Sequence, residues 1–221
     1  MHTFTAPIGT DNDGNTIEVK INQTNLAHGI LFGRTGCGKS VALATLLSNL
    51  SKKYTPEDIE IVYLSGNYPT PSIETLPLTT HVFPKEQTQE AIEYFRSVIE
   101  ERLVYASDNE LSAISTANLP AIIVAVENYS EELTELLQTL TSVGRSLGIH
   151  LILVRQTTYP STLPSDIAQM FGWALAFEEP SNLALEWTHE KISDAPKATG
   201  KAVLATGDTA TFVTVFDSLV Q

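Results

Sequence analysis

The chain has 221 residues, 43% hydrophobic and 18% charged, with 26 acidic against 13 basic side chains and a formal charge of −13. That apolar share excludes a mostly disordered chain, and the length suits one domain spanning residues 1–221. The acidic balance lacks the electrostatic footprint of a non-specific DNA or RNA binder, so no nucleic-acid partner is expected. One cysteine, Cys37, excludes an internal disulfide and points to a reducing compartment. No apolar run approaches the roughly 18 residues of a membrane span. The start, MHTFTAPIGTDNDG, has neither the basic beginning nor the apolar middle of a secretory signal. Membrane association is therefore expected through a partner or a longer parent chain, and Met1-His2 would suit an excised domain.

In chain order, Thr16 to Ile21 alternates, with Ile17, Val19 and Ile21 on one face, and reads as a half-buried strand. Gly29-Ile30-Leu31-Phe32 is a short apolar strand that runs into the glycine-rich segment Gly33 to Gly38. Leu43, Leu46, Leu47 and Leu50 then fall at helical spacing, predicting an amphipathic helix from about Lys39 until Tyr54-Thr55-Pro56 breaks it. Ile59 to Leu64 reads as a strand. Ala91, Phe95, Val98, Ile99 and Leu103 mark a second helix. After the polar stretch Ser107 to Asn118, Ile122 to Val126 is a continuous apolar run of the buried-strand type. Leu133, Leu136, Leu137 and Leu140 predict a helix closed by Gly144. Further strands are expected at His150 to Val154, Trp173 to Phe177, Lys201 to Ala205 and Thr211 to Phe216, the last two as an edge hairpin across Gly207-Asp208. Strands alternating with helices imply an α/β fold with a mainly parallel central sheet flanked by helices.

Gly33-Arg34-Thr35-Gly36-Cys37-Gly38-Lys39-Ser40 fills the pattern GxxxxGK[ST] between a strand and a helix. Glycines let the backbone curl so that its N–H groups converge on phosphate oxygens. Lys39 supplies charge for the outer phosphates and Ser40 a hydroxyl for magnesium, while the helix N-terminus, with Val41 in its first turn, faces the same anion. The expected ligand is ATP. Such a site also needs an acid at the end of a neighbouring buried strand, and that strand here ends in Glu127-Asn128. Where an aspartate would hold the ion, one extra methylene moves the carboxylate by up to about 1.5 Å, one C–C bond. Magnesium wants near-ideal octahedral geometry, and a misplacement of about 1 Å can cost about 100-fold in rate. Asn128 takes no proton from water at neutral pH. Glu127 either serves as the metal acid in spite of its length or leaves magnesium weakly held and hydrolysis weak or absent. The second is the expectation.

These residues carry a resemblance. The chain is similar over nearly its whole length to FtsK/SpoIIIE-type ATPase domains. The matching pieces are Pro7-Ile8-Gly9 with Asp13-Gly14, His28 to Gly33 leading into the phosphate loop, Leu119-Pro120, and Val143-Gly144-Arg145-Ser146-Leu147-Gly148-Ile149-His150-Leu151-Ile152-Leu153. The last run is far more specific to that family than the loop alone. It implies Gln156 as a polar sensor near the γ-phosphate, although the family's Ala-Thr-Gln-Arg-Pro stands here as Val154-Arg155-Gln156-Thr157-Thr158. With Glu127-Asn128, Arg155 and Thr157 altered, the chain most resembles a distal, C-terminal ATPase domain of the type VII secretion motor, the EssC/EccC proteins. That resemblance implies neighbouring ATPase domains on the same membrane-anchored chain, a hexamer in the full motor, and small helical WXG-type export substrates at the cytoplasmic face. The same motifs also allow a DNA translocase, a conjugative coupling ATPase or a self-standing nucleotide sensor.

Other residues have plainer alternatives. Arg145 reads as an arginine finger for a neighbouring subunit or as the partner of an acid near its helix end. Arg102 reads as a solvated or structural charge. Cys37 occupies a variable loop position where redox control is the minor reading. Trp173 and Trp187 would line a groove or pack in the core; Phe171 and Phe177 read as core. The five histidines lack ligand spacing for zinc.

Overall fold

The computed structural model describes residues 3–67, 69–127, 130–156, 165–177, 198–207 and 209–216. Ten strands form one sheet: β1 (Thr3–Thr10), β2 (Thr16–Asn22), β3 (Gly29–Gly33), β4 (Ile59–Leu64), β5 (Thr79–Phe83), β6 (Ala121–Glu127), β7 (Ile149–Gln156), β8 (Trp173–Phe177), β9 (Lys201–Thr206) and β10 (Thr209–Val215). The helices are α1 (Lys39–Lys53), α2 (Pro71–Glu74), α3 (Thr88–Asp108), α4 (Thr134–Val143) and α5 (Ser165–Ala168). The spatial order is β2-β1-β10-β9-β8-β3-β7-β6-β4-β5. Pairing is parallel from β8 through to β5 and antiparallel from β8 through to β2. The mainly parallel α/β expectation is met, with an antiparallel wing attached.

The central strands are largely continuous apolar runs because both faces are covered. Along β6, Ala121, Ile123 and Ala125 join the core under α1, while Ile122, Val124 and Val126 join the core that contains Phe95 of α3 and Leu136, Leu137 and Leu140 of α4. α1 is helical for the reason its spacing predicted: Leu43, Leu46, Leu47 and Leu50 are all wholly buried. Gly144 caps α4 and is crowded, since a Cβ there would lie 2.2 Å from the Leu140 carbonyl oxygen.

Three expectations need correction. The β9–β10 hairpin forms, with Thr206 opposite Thr209, but it lies inside the sheet because β1 pairs with β10 and carries β2 beyond it. β1, β5, α2 and α5 have no counterpart among the predicted elements. The apolar stripe of α3 turns out of the core at its end: Leu103 is 51% exposed, and the neighbouring Arg102 is buried instead.

Candidate nucleotide site

The phosphate loop joins the C-terminal end of β3 to α1. Gly33 has φ 149°, and a Cβ there would stand 2.8 Å from Phe177 and 2.9 Å from the Cys37 Sγ. Gly38, at φ 110°, forms the left-handed entry to α1, and the cap has no side-chain hydrogen bond. Gly33 and Gly38 are thus demanded by backbone conformation, and Gly33 also by close packing. The Cys37 carbonyl accepts the Gly200 N–H at 3.0 Å, so the turn before β9 buttresses the loop. Arg34, Thr35, Gly36 and Ser40 are exposed, Val41 is half-buried, and Cys37 is buried. Burial leaves the thiol poorly placed for oxidants from solution.

Lys39 is only 7% exposed. Its ammonium donates to the carbonyls of Gly33 at 2.8 Å and Arg34 at 2.6 Å, with the Cys37 sulfur at 3.8 Å. Among the described residues no carboxylate pairs with it, and the first turn of α1 holds no acid. A buried cation beside free helix N–H groups, inside a loop curled by glycines, fits a phosphate-bearing ligand. Lys39, Ser40 and the backbone of the loop are the groups that would hold it.

Glu127 is the last residue of β6, two strands from β3, a separation of about 10 Å by strand spacing. Between them lies β7, whose Gln156 pairs directly with Gly33 and is exposed. The topology therefore brings Gln156 and the strand end carrying Glu127 to the same edge as the loop. Glu127 is 5% exposed, and its Oε2 accepts hydrogen bonds from the Tyr63 hydroxyl and, at 3.2 Å, from Thr70 Oγ1. Burial and then the Glu127 carboxylate push the Tyr63 hydroxyl above its ordinary range, so it stays a donor. Asn128, Thr157 and Trp187 lie outside the described residues. Among the described residues no cluster of histidine, cysteine or acids is arranged to hold a metal, and no helix is long and apolar enough to cross a membrane.

A family model, the FtsK/SpoIIIE family, matches residues 2–118, from β1 past the phosphate loop and α3. The chain belongs to the FtsK/SpoIIIE family. It is similar to the ESX secretion system protein YukB of Bacillus subtilis, with 30% identity over 139 residues, covering 56% of this chain and 9% of that protein. It is also similar to EccC of Thermomonospora curvata, at 28% over 179 residues, covering 68% of this chain and 14% of that protein. The chain thus spans a small fraction of these type VII relatives. DNA translocase FtsK of Borreliella burgdorferi shares 20% over 207 residues, covering 81% of this chain and 26% of that protein. Among solved structures, EssC ATPases 2 and 3 of Geobacillus thermodenitrificans superpose with a TM-score of 0.76 at 20% identity, covering 98% of this chain and 44% of that one. EccC ATPases 2 and 3 of T. curvata, in complex with a signal sequence peptide, give 0.73 at 16%, covering 96% and 40%. At such identities these likenesses establish the fold.

The run from Val143 to Leu153 starts at the opposite edge of the sheet, where the parallel strands begin, and continues into β7. Arg145 is exposed there and donates to the Thr24 carbonyl at 3.2 Å, so its described partner is a carbonyl and not a helix-end acid. It lines a cavity of about 570 Å³ together with His28, Met170 and Phe171. Arg102 is structural and not solvated: it is 7% exposed and donates to the carbonyls of Leu147 and Pro120, each at 2.7 Å. His28 accepts the Leu151 N–H at Nδ1, 3.0 Å away, and His150 donates from Nδ1 to the Ala27 carbonyl at 3.1 Å. Burial lowers their pKa values to about 3 and about 4 respectively. Trp173 is core: it is buried, and a Cβ on Gly29 would fall 1.9 Å from its ring. Phe171 and Phe177 are buried, as expected.

No local signal in the sequence marks Tyr63 or Thr70 as part of the site. An aromatic in an apolar strand reads as core, and only the parallel pairing of β4 with β6 brings it to Glu127.

Proposed function

We propose that this chain is an ATPase-like domain of a type VII secretion motor, that it binds ATP as a slow structural ligand, and that it hydrolyses it weakly or not at all. In this reading residues 1–221 are one domain of a longer membrane-anchored chain. Lys39, Ser40 and the backbone from Gly33 to Val41 hold the phosphates. Gln156, at the end of β7, faces the terminal phosphate. Bound nucleotide stiffens the loop and its buttress at Gly200, and so locks the domain against its neighbours in the chain, in a hexamer of the full motor. Magnesium contributes little.

One observation carries the catalytic half of this reading: the Glu127 carboxylate is hydrogen-bonded into the protein by Tyr63 and Thr70. The relatives support the secretion half, together with a formal charge of −13 that would repel a DNA backbone. The partner in this reading is the helical tail of a small WXG-type export substrate, a chemistry suggested by the peptide complex of the EccC structure.

The test is steady-state ATP hydrolysis by the purified domain, alone, with double-stranded DNA and with a helical export tail. The reading predicts turnover near background under all three conditions, together with measurable binding of the tail. Hydrolysis stimulated by DNA would move the assignment to the translocase class.

A further inference from the structure

Glu127 ends its strand at the sheet edge that carries the phosphate loop, yet its carboxylate is tied to one side. Both donors to Oε2 come from β4 and the segment that follows it, and β4 lies on the flank of β6 away from β7 and the phosphate loop. The arrangement is cross-braced. Thr70 N–H donates to the Tyr63 oxygen at 3.0 Å, which leaves the phenol proton for Glu127. Tyr63 itself is wholly buried, and its ring has no room to swing aside. Thr70 also precedes α2 in extended conformation, and its carbonyl accepts the Ile73 N–H at 2.9 Å. Ile73 is wholly buried in the core under α1, and α2 packs on α1, the helix that begins at Lys39. The segment is pinned at its start as well: Ser65 N–H donates to the Phe83 carbonyl at 3.0 Å, and Lys85 donates to Asn67 at 3.1 Å.

We propose that Tyr63 and Thr70 form a latch that holds the Glu127 carboxylate on the β4 side and withholds it from a magnesium ion at Ser40. They are positioning residues acting through Glu127, and α2 mechanically links the latch to α1. Release of the latch is what would let Glu127 act as a metal acid, so the domain's indifference to magnesium is imposed by these two side chains and not only by the length of a glutamate. A hydrogen bond to a charged group is strong enough to decide where a carboxylate sits, because the ion must outcompete both donors before it gains a ligand. This inference rests on ATP binding at Gly33–Ser40.

The experiment compares ATP affinity in magnesium and in EDTA for wild type, Tyr63→Phe and Thr70→Val, with circular dichroism melts to confirm folding. Thr70 is half-buried, so Thr70→Val keeps the test available should Tyr63→Phe not fold. The wild-type ratio of the two affinities should stay within about threefold, and it should rise by about tenfold or more in either folded variant. Affinity in EDTA should remain unchanged. Adding Glu127→Gln to either variant should return the ratio to the wild-type value, a reversal that a merely structural role for Tyr63 would not produce. Folded variants that bind ATP with an unchanged ratio would overturn the latch and leave the nucleotide reading standing. Wild type that binds no ATP even in EDTA would overturn that reading, and the latch with it.

Discussion

Lys39 at the C-terminal edge of the parallel strands and Arg102 at the N-terminal edge are both 7% exposed, and each donates to two backbone carbonyls. The two cations differ in where those carbonyls come from. Lys39 bonds to residues five and six positions earlier, within its own loop. Arg102 bonds to residues 45 and 18 positions away, at the starts of β7 and β6. A cation satisfied by its own loop can trade those bonds for a phosphate without disturbing anything distant. A cation that staples two strand entries cannot be spared. Burial alone therefore does not distinguish these two cations, whereas the sequence span of their bonds does.

Substitution at each site sharpens the contrast. Arg102→Met keeps the apolar stem but leaves two inward carbonyls without donors, so it should cost about 3 kcal/mol in urea melts. ATP affinity should not change; a large loss of affinity would erase the distinction. Lys39→Ala should instead lower ATP affinity by about 100-fold, which corresponds to about 2.7 kcal/mol. Its melt should fall as well, by about 1–2 kcal/mol, since the Gly33 and Arg34 carbonyls lose their donor, so affinity and not stability separates the two sites.

The N-terminal edge also carries the histidines, and they make its stability depend on pH. Folded His28 and His150 titrate at about 3 and about 4, against an ordinary 6.5 in the unfolded chain. Between those values the unfolded state binds more protons, so stability is full above about pH 6.5 and falls as pH drops towards 4. The slope should approach about 1.4 kcal/mol per pH unit for each histidine, read from melting temperatures, and His28→Asn should roughly halve it. A flat profile would contradict the assignment. The smallest effect is expected at Arg145, which is exposed and held by one carbonyl. Arg145→Ala should shift stability by about 0.5 kcal/mol or less and leave ATP affinity of the single domain unchanged.

The phosphate loop was fully legible in the sequence, because its glycines, lysine and serine are contiguous and flanked by a strand and a helix whose spacings announce them. The central strands were legible too, since burial on both faces leaves continuous apolar runs. β1 was not: Pro7 and Gly9 interrupt its alternation, and a register shift between those two residues in its pairing with β2 shows why. The β9–β10 hairpin is legible but its place inside the sheet is not, because local turn chemistry says nothing about which strand comes next in space. Glu127 was found by position in its strand. Its surroundings were invisible, since Tyr63 and Thr70 lie 64 and 57 residues away in sequence. For Arg102 the sequence leaves solvated and structural charge open for the same reason: the carbonyls it bonds lie 18 and 45 residues away.

The central claim is that the loop edge binds nucleotide through Lys39 and the backbone while Glu127 stays tied to the protein. Calorimetric titration of ATP into the wild-type domain, with and without magnesium, tests it most directly. The account predicts saturable binding whose affinity changes by no more than about threefold when magnesium is removed. Binding that requires magnesium and is followed by steady heat from turnover would contradict it.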